Sequence, residues 1–285
     1  MVLPAGACAD NPHWSADGKQ LAFANIATDS VELWLGDAKT GKIRKIPGVR
    51  LNPMLDHELQ WMPDQKTLLV KLVPDHLGAP PVQPLVRSGP SIQESDGEKG
   101  QSSTYETRDT LNNEHDEDLF DYYATTQLAL IDTASAKVTH LGKPANIEEI
   151  EPAPDGRHLL VTSIHKPYSY VTTHDRFPRN VDVWDSSNRS NIQVHTIASL
   201  PLADRVPIHG EPLGPRSFDW RGIEPATLVW AEALDGGDLR HLYGAVGRRC
   251  QGSRRRGHSD LFRAGIATSG SYNKTLTPFG FQQAV

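Results

Sequence analysis

Serine nucleophiles are the first chemistry that this sequence suggests, because Gly-x-Ser occurs in it three times. In many hydrolases, Gly-x-Ser-x-Gly forms a tight strand-to-helix turn that exposes the serine hydroxyl. The three copies are Gly89-Pro90-Ser91, Gly100-Gln101-Ser102 and Gly257-His258-Ser259. The second glycine is missing from each, because Gln93, Thr104 and Leu261 stand there. The sequence therefore offers serines but no complete nucleophile turn.

Ser259 is distinguished from the others by its neighbours, since His258 precedes it and Asp260 follows it. Adjacent residues cannot bring nucleophile, base and acid into one hydrogen-bonded line, because a catalytic triad converges from separated loops. We therefore expect no catalytic residue in this chain, and Ser259 is only a weak candidate.

Carboxylates and histidines are numerous, but their spacing matches no metal site. The acidic run EHDED at 114–118 lacks the spaced Asp-x-Asp-x-Asp-Gly pattern of a calcium loop, so we predict a solvated acidic turn there. His165, His174 and His209 fall in different predicted loops without zinc-ligand spacing. We expect neither a metal ion nor a cofactor.

The segment VGRRCQGSRRRG at 246–257 is strongly basic, although the whole chain has a net charge of -6. Its arginines show neither interleaved aromatic residues nor a helical period. It could be a functional basic patch, a surface loop that evolved in place, or a junction left by an internal deletion. The acidic net charge argues against nucleic-acid binding. Of the three interpretations we favour the last, a junction that spans residues 239–257.

Two short patterns recur along the chain and indicate its fold. The first is a turn followed by a β-rich run, seen as WSADGKQLAF from Trp14, WMPDQKTLLV from Trp61, PAPDGRHLLV from Pro152 and WRGIEPATLVW from Trp220. The second is a strand, an aspartate, a polar turn and another strand, seen as ELWLGDAKTGKIRKI from Glu32, QLALIDTASAKVTHL from Gln127 and VDVWDSSNRSNIQVHTI from Val181. Together they predict a four-stranded antiparallel unit of about 40 to 45 residues, the size of a propeller blade.

We therefore predict an all-β fold in which residues 1–238 form a partial β-propeller of about three and a half blades. A β-sandwich is the alternative, because its strands also come in short alternating runs. Residues 76–120 are rich in proline, glycine and charge, so we expect a flexible insertion in the second blade. The tryptophans at equivalent blade positions should pack in the core; they are Trp14, Trp34, Trp61, Trp184 and Trp220.

Long segments of the chain resemble a known family. The stretch HSDLFRAGIATSGSYNKTLTPFGFQ at 258–282 resembles the catalytic domain of the glutamyl endopeptidase branch of the prolyl oligopeptidase family. NPHWSADGKQLAFA, IHKPYSYVTTHDRFPRNVDVWD and GPRSFDWRGIEPATLVWAEALDGGD resemble the propeller of the same branch, in the same order. The resemblance implies a propeller that caps an α/β-hydrolase domain, with peptides reaching a Ser-Asp-His triad between them and being cleaved after glutamate.

The family's nucleophile elbow typically reads Gly-Gly-His-Ser-Tyr-Gly, but here RRCQGSRRRG stands where the elbow and its helix should be. His258 and Ser259 match the end of that helix rather than the elbow. In the family, the triad aspartate and histidine follow the elbow, far beyond the position of Phe281. We therefore expect an N-terminally clipped, internally deleted fragment in which residues 258–285 are a short remnant of the hydrolase domain.

Two function classes follow. The chain is either a serine-peptidase family product that lacks its nucleophile and triad, and is therefore inactive, or a non-catalytic propeller module that binds peptide or protein. The resemblance makes peptides the expected partner class and implies a remnant of the substrate cleft at Ser269, Gly270, Tyr272 and Asn273. We expect a soluble chain with no nucleic-acid or membrane partner and see no signal peptide; the sequence specifies neither a compartment nor an oligomeric state.

Overall fold

The computed structural model describes residue 3 and residues 6–55, 58–83, 110–189, 191–204 and 214–232. Within these residues the protein is built from thirteen β-strands, one α-helix and one short 3-10 turn. The strands are all antiparallel to the neighbours with which they pair. The fold is therefore a succession of antiparallel units.

The first unit is a four-stranded meander. Its strands are β1 (Ala9–Trp14), β2 (Gln20–Ile26), β3 (Val31–Asp37) and β4 (Ile43–Leu51). The turn between β1 and β2 holds Gly18 at φ 67°, a left-handed conformation that glycine adopts without strain. The carboxylate of Asp17 accepts hydrogen bonds from the Ser15 hydroxyl and the Lys19 backbone nitrogen, so the Asp-Gly signal in the sequence marks a real turn.

The second unit repeats this order with a helix inserted between its second and third strands. Its elements are β5 (Leu59–Trp61), β6 (Thr67–Leu72), α1 (Glu114–Ala124), β7 (Thr125–Asp132) and the first part of β8 (Val138–Pro152). The third unit comprises the rest of β8, then β9 (His158–Ile164), the 3-10 turn His174–Arg176, β10 (Arg179–Asp185) and β11 (Gln193–Leu200). A terminal hairpin follows, formed by β12 (Pro215–Trp220) and β13 (Leu228–Glu232).

One continuous strand connects the second and third units. Residues 138–146 of β8 pair with β7, whereas residues 147–152 pair with β9. The strand is therefore the last strand of one unit and the first strand of the next. The first and second units are connected in a related way, because β4 ends at Leu51, which pairs with Leu72 of β6.

The core lies between successive units rather than inside any one of them. Successive side chains of β6 point to opposite faces of the sheet, so Leu68 and Val70 face the first unit and Leu69 faces the third. The interface of the third unit with the terminal hairpin is built in the same way, since Leu160 and Val181 pack in one cluster with Trp220 and Leu228. The second and third units are thus each buried on two faces by their neighbours in the sequence.

The prediction of an all-β, partial β-propeller is confirmed by these features. Four-stranded antiparallel units follow one another in order, pack face to face in succession, and within the described residues do not close into a ring, because β1 pairs only with β2 and β13 only with β12. Two packed sheets, as in the sandwich alternative, would not give a series of separate interfaces. The blade count of the complete protein stays a prediction, and the junction at 239–257 and the remnant at 258–285 lie outside the described residues.

The prediction of a solvated acidic turn at 114–118 is wrong, because these residues begin helix α1. The Asn113 side chain caps the helix by accepting a hydrogen bond from the Asp116 backbone nitrogen. Acidic residues fill the first turn, where the helix dipole favours negative charge. Of the insertion predicted at 76–120, residues 84–109 lie outside the described residues, and residues 114–120 belong to this helix.

Candidate inner-strand site

A cavity opens among the first strands of successive units, and its lining carries most of the candidate chemistry. We call it the inner-strand cavity. It has a volume of about 370 Å³ and is lined by Gln60, Glu149, Glu151, Ser217, Phe218 and Asp219. These residues come from β5, β8 and β12, which begin the second unit, the third unit and the terminal hairpin. The cavity is therefore a product of the unit-on-unit packing.

The electrostatics of this cavity are dominated by uncompensated carboxyl groups. Burial raises the pKa of Glu151 to about 8, and the Asp219 carboxylate, which is hydrogen-bonded to it, and the charge of Glu149 act in the same direction. No basic side chain is among the described residues that line the cavity. At neutral pH Glu151 is therefore mostly protonated and can donate a hydrogen bond, whereas an ordinary glutamate can only accept.

Tryptophans at the ends of the inner strands tie each unit to its neighbour. Trp61 Nε1 donates a hydrogen bond of 2.9 Å to the backbone oxygen of His13 in the first unit. Trp220 Nε1 donates one of 3.1 Å to the backbone oxygen of Glu151 in the third unit. These bonds join the first strands of neighbouring units, β5 to β1 and β12 to β8, although these strands do not pair as a ladder. We call the first strands of the units the inner strands.

The prediction that all five tryptophans pack in the core is wrong for one of them. Trp14 is 55 % exposed, whereas Trp184 and Trp220 are each only 7 % exposed. Trp34 and Trp61 are half-buried. The physical reason is position: Trp61 and Trp220 have a unit on the side that their indoles face, while β1 forms the edge of the described sheet.

A second group of polar side chains fixes helix α1 against the connection between β9 and β10. Lys166 Nζ lies 3.2 Å from Glu117 Oε2 and 3.3 Å from Asp121 Oδ2. Burial lowers the pKa of Lys166, but the hydrogen bonds and charges of these two carboxylates outweigh it, so the pKa lies above its ordinary value. Tyr168 donates to Asp121, and the ring of Tyr168 packs edge-on against Phe120 at 5.1 Å. This network is internally satisfied and orients the helix.

A Ser, a His and an Asp also occur near the turns of the third unit, but they do not form a triad. His158 Nδ1 lies 2.7 Å from Asp155 Oδ2, which resembles a base with its orienting acid. The Ser186 hydroxyl, however, donates a 2.6 Å hydrogen bond to the backbone oxygen of Arg157. Its proton is therefore engaged by the backbone, and the group stabilises the turns.

The candidate residues Ser259, Ser269, Gly270, Tyr272 and Asn273 lie outside the described residues, as does His209. Of the other histidines considered, His165 follows β9 and its Nδ1 lies 2.7 Å from the Lys166 backbone oxygen, and His174 begins the 3-10 turn. Within the described part of the chain, no three side chains of His, Cys, Asp or Glu are grouped so as to hold a metal ion. Over the same ranges, no helix has the length and apolar character needed to cross a bilayer.

Sequence reasoning missed the inner-strand cavity. Its carboxylates belong to the IEEIEP stretch at 147–152 and to the SFDW stretch at 217–220, which are far apart in the chain. A usable signal was present, because the charged residues Glu149, Glu151 and Asp219 alternate with apolar ones just before a predicted blade turn. Alternation of this kind marks a strand with one face in solvent.

Comparison with known proteins gives two close relatives by sequence. A protein of Oryza sativa subsp. japonica named "Probable glutamyl endopeptidase, chloroplastic" is 38% identical over 249 residues, which cover 83% of this chain and 26% of that protein. The protein of the same name from Arabidopsis thaliana is 38% identical over 248 residues, which cover 84% of this chain and 25% of that protein. The chain thus spans about a quarter of the length of these relatives.

Similarity to solved structures is weaker. The acylaminoacyl peptidase of Pyrococcus horikoshii is 16% identical and aligns with a TM-score of 0.39, over 67% of this chain and 25% of that one. No protein-family model matches the chain.

Proposed function

The chain belongs to the glutamyl endopeptidase branch of the prolyl oligopeptidase family, and from this premise we propose that it acts as the peptide-binding propeller part of a serine peptidase without itself hydrolysing peptide bonds. The observation that carries the proposal is the 38% identity to the two plant proteins over 83% and 84% of this chain. Both relatives are named as endopeptidases, so peptides are the class of ligand that we propose.

The inner-strand cavity is the part of the propeller that suits contact with a peptide. It is concave, and it offers carboxylate, amide and hydroxyl groups beside the ring of Phe218. Carboxylates accept hydrogen bonds from peptide N–H groups and attract lysine and arginine side chains. The proposed ligand is therefore a peptide segment with a positively charged residue, held where Glu149 and Asp219 converge.

The absence of hydrolysis is argued from the sequence itself. A nucleophilic serine needs a turn that exposes its hydroxyl and a base within hydrogen-bond reach. None of the Gly-x-Ser copies in the printed sequence continues to a second glycine, and His258 is directly adjacent to Ser259 in the chain. A hydroxyl without an activating base is a poor nucleophile at neutral pH, so we propose that no serine of this chain attacks a peptide carbonyl.

Fluorescence anisotropy with labelled decapeptides tests the binding proposal. A peptide with two central lysines should bind the full 285-residue chain more tightly than the matched peptide with two glutamates. The variant Glu149→Gln should weaken binding of the lysine peptide about three- to tenfold, because one attractive charge is removed at the cavity. Asp29→Asn removes the same charge at an exposed site outside the cavity and serves as the control.

Equal weakening by both variants would mean that only the net charge of the chain matters. No measurable affinity for either peptide would reject the peptide-binding function altogether. Loss of binding in Glu149→Gln alone, with unchanged affinity in Asp29→Asn, is the result that supports the proposal.

A further inference from the structure

The terminal hairpin, β12 and β13, packs against the third unit through apolar side chains and hydrogen bonds, without a shared strand ladder. Its apolar face contributes Trp220 and Leu228 to a cluster with Leu160 and Val183. Hydrogen bonds that cross the interface include one from Trp220 Nε1 to the Glu151 backbone oxygen at 3.1 Å and one from the Asp155 backbone nitrogen to the Pro225 backbone oxygen at 2.8 Å. The hairpin forms a separate two-stranded sheet, so no ladder of backbone bonds joins it to β8.

Two carboxyl side chains face each other across this interface. Glu151 projects from β8 and Asp219 from β12, both line the inner-strand cavity, and a side-chain hydrogen bond joins them. Two carboxyl groups can make such a bond only when one of them carries a proton. With both ionised, the same contact places two negative charges against each other.

Among the described residues that line the cavity, no basic group neutralises the pair. Glu149 adds a third carboxyl group from β8, and β5 contributes the uncharged amide of Gln60. The hairpin itself contributes Ser217 and the ring of Phe218, while Arg216, the nearest basic residue along β12, is not among the lining residues. Loss of the proton from Glu151 therefore adds net negative charge at the interface.

We propose that Glu151 and Asp219 form a proton-dependent latch. With one proton shared between them, the pair holds the terminal hairpin against the third unit, and loss of this proton loosens the hairpin. The device rests on the position of the two carboxyl groups on opposite sides of an interface that no backbone ladder joins, and it does not depend on peptide binding.

The direction of the pH dependence follows from proton linkage. Burial, followed by the effect of Asp219, raises the pKa of Glu151 to about 8 from an ordinary value of 4.5. The docked state therefore binds more protons than the open state between these two pH values, and docking weakens as the pH rises through this window. Because one proton is linked, the opening equilibrium constant rises by at most about tenfold per pH unit and levels off above about pH 8.

Hydrogen exchange of the full chain, measured by mass spectrometry between pH 5.5 and 9, tests the latch. Protection factors, which remove the intrinsic pH dependence of exchange, should fall several-fold per pH unit for amides of residues 215–232 and then reach a plateau. Amides of residues 20–37 in the first unit, far along the chain from the hairpin, should keep a constant protection factor and report on global stability.

Three variants separate the latch from a general pH effect. Glu151→Gln keeps the shape of a protonated glutamate and cannot ionise, so the protection of the hairpin should become independent of pH. Asp219→Asn removes one of the groups that raise the Glu151 pKa, so the fall in protection should occur at lower pH. Asp29→Asn, a change at an exposed turn of the first unit, should reproduce the wild-type profile.

The inference is overturned if protection of residues 215–232 in the wild-type chain does not change with pH. It is also overturned if Glu151→Gln retains the wild-type pH profile. Should Glu151→Gln lose protection in residues 20–37 as well, the chain has failed to fold, and the shift of the profile in Asp219→Asn then decides the matter.

Discussion

The indole nitrogen of Trp220 lies 3.1 Å from the backbone oxygen of Glu151, and this bond spans two units of the fold. Trp61 repeats the arrangement one interface earlier, with His13 as the acceptor at 2.9 Å. A tryptophan at the end of an inner strand therefore supplies the polar contact between strands that share no ladder. The apolar part of the same ring packs against the neighbouring unit.

Replacement of these tryptophans by phenylalanine should reveal that role. Trp61→Phe and Trp220→Phe each remove the donor and leave a backbone oxygen without it, so the free energy of unfolding should fall by about 1–2 kcal/mol. Trp14→Phe is the matched control, because Trp14 is 55 % exposed, and its effect should stay within about 0.5 kcal/mol. Urea denaturation followed by circular dichroism measures all three, and equal effects at Trp14 and Trp220 would contradict this role.

Gly142 should be irreplaceable on two grounds. Its φ is +61°, and a Cβ built on it would lie 2.6 Å from Cζ3 of the buried Trp184 ring. Gly142→Ala should therefore lower the free energy of unfolding by about 3 kcal/mol, since strain and overpacking add. Gly18→Ala shares a positive φ of +67° but has nothing within 4 Å, so it should cost only about 1 kcal/mol. Thermal unfolding of both variants tests the difference, and equal losses would reject the steric argument.

Lys71 is fully buried and should be needed as a hydrogen-bond donor. Among the described residues, four backbone oxygens lie within hydrogen-bond distance of its ammonium group, those of Met54 at 3.3 Å, Leu55 at 3.2 Å, Ile147 at 3.4 Å and Glu148 at 3.1 Å. Lys71→Met fills the space and relieves the burial of a charge, but it leaves converging carbonyl dipoles without a donor. The loss of the donor should outweigh the relief of charge burial, so the free energy of unfolding should fall by about 2 kcal/mol.

The control for that experiment is Lys66→Met on the neighbouring turn. Lys66 is exposed, so the same change of charge and shape should cost less than about 0.5 kcal/mol. A stabilised Lys71→Met variant would show that the burial of the charge outweighs its hydrogen bonds.

The ion pair between Arg157 and Asp185 should contribute to stability at neutral pH and be lost in acid. Arg157 Nη2 lies 2.5 Å and Nε 3.0 Å from the two carboxylate oxygens of Asp185, and the pair holds the pKa of Asp185 well below its ordinary value. The contribution is therefore present above the ordinary pKa of an aspartate, about 3.9, and disappears as the pH falls below it. Because Arg157 is exposed and Asp185 is half-buried, the pair should be worth less than about 1 kcal/mol.

Asp185→Asn should flatten the acid limb of the stability profile between about pH 4 and pH 2 without changing its shape above pH 5. Urea midpoints measured across that range provide the test. An unchanged acid limb in the variant would show that the pair does not contribute.

The turns were the part of the fold that sequence reasoning predicted best. The position of Asp17, Asp132 and Asp185 between β-rich runs predicts turns. Each of them accepts a hydrogen bond from a backbone nitrogen two or three residues later. Such bonds are local, so a local pattern suffices to predict them. Face-to-face packing of the units also follows from alternation within each strand.

Features that depend on distant residues escaped prediction. The acidic run at 114–118 predicts a solvated turn, yet it begins helix α1, in which Phe120 packs with Tyr168 and Phe177. The pKa of Glu151 is raised first by burial and then by Asp219, which no spacing rule connects to Glu151. The exposure of Trp14 depends on which unit faces it, and a repeat pattern treats all units as equivalent.

The most direct test of the central claim combines a covalent and a reversible probe on one preparation of the full chain. The chain is incubated with a fluorophosphonate, which labels activated serines, and its intact mass is measured; binding of the lysine-containing peptide is followed by anisotropy in parallel. We predict an unchanged mass together with saturable peptide binding. Covalent labelling of Ser259 or any other serine, with cleavage of a glutamate-containing peptide, would contradict the account.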